Sequence, residues 1–478
     1  MKTAGVTAAL LLLATAAWAH VGSPDVYLDG NAGPYRLLVV VRMPAVVPGV
    51  ADIEIRALSG GVRGLSVVPL RIRGPGAELA PVPDIAQRDA GDPQLFRARL
   101  WMMQRGAWKV QIDAEGDRGK GELSVPVAAV ATMATAMPAA LKGLLGAAGV
   151  LLVVGLVGMV GAAVREGMSP PGSEVTPADR RRGRRAMACA AALTIAAVWG
   201  GNAWWRVEAR GNAARVYRMP RAAVSVVPPR TLSLLLQNPN GPRVFLDDLV
   251  PDHGHLIHLF LVRVPALDRM LHLHPQPGSG SRFEQALPAL PAGRYHAFAD
   301  IVHATGFPET QVAEVTLPEI AGGETSGDDS SAAAAPLAEP AITTSVAALP
   351  GGRMLWRREP GPLRAGEPVW LRFRVEDAAG QPATDLEPYM GMAGHLAVVR
   401  ADCSVFAHLH PGGSAPMAAV ELANGAAPAA HAGHAAIAPE VTFPYGFPQP
   451  GDYRLFVQVK RDGRIETGVF DARISAAP

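Results

Sequence analysis

Two stretches of the chain, GHLIHLFLVR (Gly254–Arg263) and AGHLAVVR (Ala393–Arg400), place a histidine directly before a run of apolar and β-branched residues. Each stretch is soon followed by the tetrapeptide HLHP, at His272–Pro275 and at His408–Pro411. Short runs of this kind, bounded by Gly, Pro, Asp and Ser, are typical of β-strands. The repetition therefore predicts that one histidine-bearing β-hairpin occurs twice in the chain.

The duplication extends beyond the two hairpins. LVPDHGHLIHLFLVR (Leu249–Arg263) aligns without a gap on LEPYMGMAGHLAVVR (Leu386–Arg400). The alignment continues from Gly293, Tyr295 and Phe298 in the first copy to Gly451, Tyr453 and Phe456 in the second. Self-similarity of this kind is the signature of a repeated structural unit. We therefore predict two related β-sandwich domains, at 206–320 and 342–478.

Further β-type sequence lies near the N-terminus. Runs such as YRLLVVVRM (Tyr35–Met43) and GAWKVQIDA (Gly106–Ala114) recur between Gly, Pro and Asp at a spacing typical of sandwiches. They predict another β-sandwich at 20–138. The segment AGGETSGDDSSAAAAPLAEPA (Ala321–Ala341) has almost no residues that can anchor a core, so we expect a flexible linker at 321–341.

Three apolar segments indicate export and membrane insertion. Residues 1–19 combine Lys2, an apolar run and the ending AWA, which is the layout of a secretory signal peptide. Residues 139–164 and 186–205 are each long enough to cross a bilayer as a helix. The Arg-rich stretch 165–185 between them predicts a cytoplasmic loop, which places the β-rich parts of the chain on the exterior side.

Composition and motifs argue against several functions. The net charge is +2 and the basic residues are spread along the chain, so we expect no nucleic-acid partner. The only cysteines are Cys189 and Cys403, too few for a disulfide framework. After His274 the first acidic residue is Glu284, which does not fit a cupin, and no GxSxG, HExxH or phosphate-loop motif occurs. We therefore expect that the protein is not an enzyme.

The histidines of each hairpin are spaced so that they can meet. Alternate residues of a strand point to the same face, so the two histidines of each HLHP project together. If the strand turns back as a hairpin, His258 lies opposite His274, with Cβ atoms roughly 5 Å apart. The second repeat allows the same pairing of His395 with His410. We therefore predict three converging imidazoles in each repeat.

The two repeats differ at one pair of positions in a way that suggests metal chemistry. His253 and His255 of the first repeat align with Met390 and Met392 of the second. Imidazole and thioether groups both bind transition metals, but thioether favours Cu(I). If these residues only packed in a core, an exchange of histidine for methionine at both positions would not be expected. We interpret the repeats as a His-rich site and a softer His/Met site, joined by a flexible tether.

The candidate metal ligands are His253, His255, His258, His272, His274, Met390, Met392, His395, His408 and His410. Copper is the expected ion and zinc is less favoured. Two other interpretations stay open. Methionines near the start of a strand can simply fill a core. His258 and His395 can instead donate buried hydrogen bonds that fix the turn before each strand.

The sequence also resembles a known group of domains. PYMGMAGHLAVVR, FAHLHP and PGDYRLFVQV in the second repeat resemble YtkA-like and FixH-like β-sandwich domains of bacterial envelope proteins, which are often linked with copper handling. The resemblance covers most of 342–478 and, through the repeat, about 230–320. It implies immunoglobulin-like or cupredoxin-like sandwiches outside the cytoplasm. The expected fold is mainly β, with three such sandwiches, two transmembrane helices and an N-terminal signal peptide.

These features lead to one main functional hypothesis. The protein is expected to be anchored in the inner membrane of a bacterium, with large domains facing the periplasm that bind a metal, copper above all, for buffering, delivery or sensing. Its expected partners are the metal ion and the lipid bilayer, with another envelope metal-handling protein as a further candidate. The alternative is a non-catalytic assembly or interaction protein of the envelope whose histidines are structural.

Overall fold

The computed structural model describes residues 20–21, 25–134, 137–167, 170, 172–214, 216–237, 248–279, 282–425 and 437–477. The predicted signal peptide at 1–19 lies outside these residues. The chain divides into two compact units. One is formed by Val130–Arg218, and the other joins the described residues up to Ala129 with those from Met219 onward.

The unit Val130–Arg218 contains two long helices, α1 (Ala139–Glu166) and α2 (Pro177–Ala214). Both are long and apolar enough to cross a membrane, as the sequence predicts. Helix α2 begins earlier than the predicted span at 186–205, so the arginines at 180–185 lie on its first turns and not in a loop. The early start follows from a capping box, in which Asp179 and Thr176 bond to each other's backbone N–H groups.

The first β-rich part of the other unit is built from two sheets with a common hydrophobic core. Their orders are β2-β3-β4-β8-β7 and β10-β9-β5-β6. The strands are β2 (Asp25–Ala32), β3 (Tyr35–Arg42), β4 (Gly49–Ala57), β5 (Val62–Arg71), β6 (Asp84–Ile85), β7 (Gln87–Arg88), β8 (Leu95–Met102), β9 (Gly106–Gly116) and β10 (Gly119–Ala129).

The first repeat also places a core between two sheets, ordered β11-β12-β17-β16 and β13-β18-β14-β15-β20, with β19 beside β18. The strands are β11 (Ala223–Val227), β12 (Thr231–Leu235), β13 (Leu249–Val250), β14 (His258–Val264), β15 (Arg269–Leu273), β16 (Gln276–Pro277), β17 (Arg282–Ala286), β18 (Gly293–His303), β19 (Pro308–Leu317) and β20 (Ser330–Ala333).

The second repeat has the sheets β21-β22-β24-β28 and β1-β27-β26-β29-β30-β23, with β25 beside β29. Its elements are β21 (Val346–Leu349), β22 (Gly352–Arg357), β23 (Leu363–Arg364), β24 (Val369–Asp377), β25 (Leu386–Glu387), β26 (His395–Arg400), β27 (Val405–Leu409), α3 (Met417–Ala423), β28 (Glu440–Tyr445), β29 (Gly451–Arg461) and β30 (Arg464–Ser475), and β1 (His20–Val21) pairs with β27. A mainly β fold is therefore confirmed, whereas its immunoglobulin-like or cupredoxin-like character stays a prediction.

The segment 321–341, expected to be a flexible linker, contains strand β20. This strand pairs in antiparallel fashion with β15 over Ser330–Ala333. The composition of the segment is poor in core-forming residues, but backbone hydrogen bonds of a sheet do not require them. The linker prediction is therefore corrected: part of the segment is an edge strand of the first repeat.

The two repeats pack against each other through a hydrophobic cluster, which we call the inter-repeat core. It consists of Phe260, Val262, Leu267, Met270, Phe298 and Ala332 from the first repeat and Ala397, Val399, Cys403, Phe406 and Phe456 from the second. The rings of Phe298 and Phe406 stack with centroids 4.3 Å apart. Many of these residues occupy equivalent positions of the two repeats, so the contact is close to two-fold symmetric.

The inter-repeat core generates a prediction about stability. Phe406→Ala removes a fully buried ring that contacts both Phe260 and Phe298. We expect the free energy of unfolding to fall by about 3–5 kcal/mol, measured by denaturant titration of the full chain in detergent. Trp101→Ala is the control, because that ring is 61% exposed. Equal effects of the two substitutions would contradict the assignment of this interface.

Candidate metal centre

The alternation of side chains along the hairpin strands places the histidines between the repeats. In β14, Leu259 and Leu261 enter the core of the first repeat, whereas Phe260 and Val262 enter the inter-repeat core. His258 therefore lies on the face that meets the other repeat. The same alternation holds in β15, β26 and β27, where Met270 and Phe406 share a face with the histidines of the HLHP motifs.

The predicted hairpin registers are confirmed. Leu259 pairs with Leu273, so His258 lies opposite His274 at the end of the ladder. In the second repeat Leu396 pairs with Leu409, which places His395 opposite His410. The sequence spacing alone therefore identified which imidazoles of each repeat become neighbours.

The histidines of both repeats form one cluster. Its members are His253, His255, His258, His272, His274, His395, His408 and His410, linked by ring-centroid distances from 4.0 to 6.3 Å. The rings of His258 and His408, from different repeats, are 5.2 Å apart. The expectation of two separate sites joined by a tether is thus corrected, because the strands that carry the histidines face each other.

Two groups of three histidines within the cluster could hold a metal ion. In each group, one ring nitrogen of every member lies within 4.8 Å of the others. The first group, His258, His272 and His274, belongs entirely to the first repeat. The second combines His395 and His410 of the second repeat with His253 of the first. Such all-imidazole sets suit Zn, Cu, Fe or Ni.

Each histidine of the first group is held through the ring nitrogen that faces away from the group. His258 Nε2 lies 3.0 Å from the carbonyl oxygen of Asp252, and His274 Nδ1 lies 3.0 Å from Asp329 Oδ1. His272 Nδ1 lies 2.9 Å from Oε1 of Gln458, which comes from the second repeat. Oxygen acceptors of this kind orient metal-binding imidazoles and fix their tautomers.

These contacts determine where the ring protons of His258 and His272 lie. A carbonyl oxygen only accepts, so the Nε2 atom of His258 carries the proton and its Nδ1 atom presents a lone pair. The hydroxyl of Tyr389 donates to the carbonyl of Asp328, so it too accepts from His272 Nδ1, as Gln458 Oε1 does. The Nε2 atom of His272 then also presents a lone pair.

The two lone pairs face each other, because His258 Nδ1 and His272 Nε2 are 3.1 Å apart. Two neutral acceptors at this distance repel unless a cation lies between them. His274 Nε2 points to the same region and has no hydrogen-bond partner among the described residues. The donor set of the first group therefore fits a bound metal ion.

Burial keeps the imidazoles of the cluster neutral. It holds the pKa values of His258, His272, His395, His408 and His410 well below their ordinary value of 6.5, and the other histidines of the cluster lower them further. At neutral pH a proton shared between His258 Nδ1 and His272 Nε2 is therefore disfavoured, so it does not relieve the repulsion between their lone pairs as a metal ion would. Neutral imidazole is also the form that binds metals.

Several residues at the site were not found from the sequence. Asp328, Asp329 and Ser330 come from the segment expected to be a linker, and the first two contact His255 and His274. Asp300 and Gln458 occupy equivalent positions on β18 and β29, and each reaches a histidine of the other repeat. The available signal was the apolar residues on both faces of β14 and β26, which indicates burial on both sides.

Two of the predicted histidine ligands lie outside both groups of three. His408 was expected to converge with His395 and His410, but His253 takes that place in the second group. His255 lies outside both groups of three; its ring stacks on that of His274 at 4.0 Å, and its Nε2 atom lies 3.1 Å from Asp328 Oδ2. Met390 and Met392 are half-buried in the turn that corresponds to 252–255. Their role as ligands stays a prediction.

Comparison with known proteins gives limited information. A family model described as a domain of unknown function, DUF8832, matches residues 351–476, about a quarter of the chain. This segment contains the three clustered histidines of the second repeat. No protein in a search of curated sequences matches the chain.

Several solved structures have low similarity to the chain. A bacterial ice-binding adhesin is 6% identical over 90% of this chain and 92% of its own, with a TM-score of 0.15. The α2-macroglobulin of E. coli is 8% identical over 94% of this chain and 23% of its own, with a TM-score of 0.19. A protein of Corynebacterium diphtheriae described as membrane-anchored is 10% identical over 95% and 96%, with a TM-score of 0.15. Such scores are too low to support a functional argument.

The depressed pKa values predict an acid-sensitive fold. Below about pH 6.5 the unfolded chain binds protons that the buried imidazoles reject, so the free energy of unfolding should fall as pH falls. The slope approaches about 1.4 kcal/mol per pH unit for each such histidine, until the pH reaches its folded-state pKa. His395→Leu should reduce the slope by one such contribution. Denaturant titrations of the metal-free protein that give the same stability at neutral pH and at about pH 5.5 would contradict this.

The contact between His274 and Asp329 predicts an effect on metal affinity. Asp329→Ala removes the acceptor that orients the His274 ring, so we expect the affinity of the first group for a metal ion to fall by about 10–100-fold. Competition titration with a chromogenic chelator measures the change. Glu324→Ala is the control, since Glu324 lies in the same segment but is exposed. An unchanged affinity in Asp329→Ala would show that His274 is not a ligand.

Proposed function

We propose that this protein is a membrane-anchored extracytoplasmic metal-binding protein, with copper as the ion, that buffers, delivers or senses the metal. The two long apolar helices provide the anchor, and the histidine cluster between the repeats provides the site. The ligands are the imidazoles of His258, His272 and His274, with further histidines of the cluster available beside them.

The observation that carries the proposal is the close approach of His258 Nδ1 and His272 Nε2, both of which we infer to present a lone pair. Their ring nitrogens approach to 3.1 Å, and outer acceptors fix both rings in the orientation that directs the lone pairs at each other. A metal ion relieves this repulsion and satisfies His274 Nε2 at the same time. A purely structural histidine pair would be expected to adopt complementary tautomers that form an ordinary hydrogen bond.

The choice of copper rests on the donors. Imidazole binds both oxidation states of copper, and the methionines at 390 and 392 offer thioethers that favour Cu(I). The resemblance to YtkA-like and FixH-like domains supports the same ion. Zinc binds similar imidazole sets and is the competing ion in the test below.

The surroundings of the site suit binding and release of a metal. Five of the histidines are at most 4% exposed, so the protein excludes water from the ligands. His255 is 20% exposed and stacks directly on His274, which provides a partly open edge where an ion can enter or leave. Nothing in the proposal requires a chemical step beyond ligand exchange.

The test is a metal titration of the full-length protein in detergent with Cu(I), Cu(II) and Zn(II). We expect the wild type to bind copper tightly and the triple variant His258→Ala/His272→Ala/His274→Ala to bind it far more weakly. Removing the three imidazoles removes the complete first group. Equilibrium dialysis followed by elemental analysis gives the bound metal per chain.

The control is His296→Ala/His303→Ala, because these histidines belong to the same repeat but lie outside the cluster. This variant should bind copper like the wild type. If the wild type binds none of the tested metals, the proposal is wrong and the histidines are structural, as in an assembly or interaction protein. Equal binding by the wild type and the triple variant would show that His258, His272 and His274 are not the ligands. A preference for zinc over copper would overturn the choice of ion.

A further inference from the structure

The second group of histidines spans the two repeats. His395 and His410 come from β26 and from the residue directly after β27, whereas His253 comes from the turn before β14 of the first repeat. The His253 ring lies 5.2 Å from that of His395 and 4.9 Å from that of His410. Both nitrogens of the fully buried His395 ring lack hydrogen-bond partners among the described residues. A buried imidazole with no hydrogen bond to either nitrogen indicates a place where a metal ion can bind.

The turn that carries His253 has the same conformation as the turn that carries Met390. His253 and Gly254 have φ values of 52° and 86°, and Met390 and Gly391 have values of 49° and 78°. Each turn is closed by a bridge, between Asp252 and His255 in one case and between Tyr389 and Met392 in the other. Positive φ at both central residues is the type I′ arrangement. The two residues therefore occupy equivalent places in equivalent structures.

Both turns also reach across to the opposite repeat. Asp252 Oδ1 accepts a hydrogen bond of 2.8 Å from the backbone N–H of Ala418 in the second repeat. The Tyr389 hydroxyl donates to the carbonyl of Asp328 and lies 3.3 Å from His272 Nδ1 in the first repeat. Since His253 joins the His395–His410 pair of the second repeat, we expect from the equivalence of the two turns that Met390 lies beside the corresponding pair of the first repeat, His258 and His274.

We propose that the protein holds two metal ions. The second ion lies in a site that spans both repeats and is completed by His253. Met390 adds its thioether to the first site. This inference rests on the function proposed above and extends it. The first site then contains three imidazoles and a thioether, a soft set suited to Cu(I). The second contains imidazoles alone and is the harder of the two. The softer site thus takes its histidines from the first repeat, whereas the sequence predicts the softer site in the second repeat.

Nearby carboxylates reduce the cost of holding two cations in one cluster. Asp328 and Asp329 lie 3.1 Å and 3.0 Å from ring nitrogens of His255 and His274. Neutral imidazoles alone would leave the positive charge of both ions uncompensated in a buried region. These two carboxylates contact the first-repeat side of the cluster, so the first site should be the stronger one.

The experiment counts bound Cu(I) per chain in the full-length protein under anaerobic, reducing conditions. Dialysis against Cu(I) buffered by a chelator, followed by elemental analysis, should give two ions for the wild type and one for His253→Asn. Asparagine is chosen because it tolerates the positive φ at this position. One ion in the wild type, or two in His253→Asn, would overturn the site between the repeats while leaving the proposed function intact. No ion in the wild type would overturn both.

The role of Met390 is tested in the His253→Asn background, where only the first site remains. Adding Met390→Leu should weaken Cu(I) binding, on the order of tenfold, and leave Zn(II) binding unchanged, because the loss of a thioether affects the soft ion. Met103→Leu is the matched control, since Met103 is 58% exposed in the N-terminal β part. Thermal unfolding of each variant checks that it folds. Unchanged Cu(I) affinity, or an equal loss for zinc, would show that Met390 is not a ligand.

Discussion

The structure of the candidate site depends on the burial of four strands on both faces. In β14, β15, β26 and β27, alternate side chains enter the core of their own repeat, and the others meet the opposite repeat. A strand with one face in water would leave its histidines solvated and independent. Here the second face is covered, so the imidazoles are withdrawn from water and must find partners among themselves or in an ion.

The cost of burying so many imidazoles is limited by neighbours that accept hydrogen bonds. The carbonyl of Asp252, the carboxylate of Asp329 and the amide of Gln458 each take one ring N–H. On the second repeat, Asp300 Oδ2 lies 3.5 Å from His408 Nδ1, and burial raises the pKa of Asp300 to about 7. In these four histidines the outer nitrogen has an oxygen partner and the inner nitrogen faces the cluster, as the proposed metal binding requires.

The sequence predicts contacts within one hairpin well and contacts between the two repeats poorly. The pairing of His258 with His274 follows from strand geometry and hairpin spacing, because both depend only on neighbouring residues. The position of His253 beside His395 does not, since it depends on how two sheets face each other. Asp329 was missed for a different reason: its segment lacks core-forming residues, and composition cannot reveal an edge strand held by backbone hydrogen bonds. The turn that carries Met390 could be aligned with the turn at 252–255 from the sequence. Which histidines it faces depends on how the two repeats pack, and the sequence does not show this.

The contact between Asn424 and Ser124 constrains the membrane topology of the chain. Two hydrogen bonds, of 3.0 Å and 2.9 Å, join residues that are 300 positions apart, and the helices α1 and α2 lie between them in the chain. Lys109 makes a similar long-range bond to the carbonyl of Ala423. Segments that touch must end up in the same compartment, so the intervening chain can traverse a bilayer only an even number of times. A pair of spanning helices meets that requirement, and the loss of either one would separate the β-rich halves that build this unit.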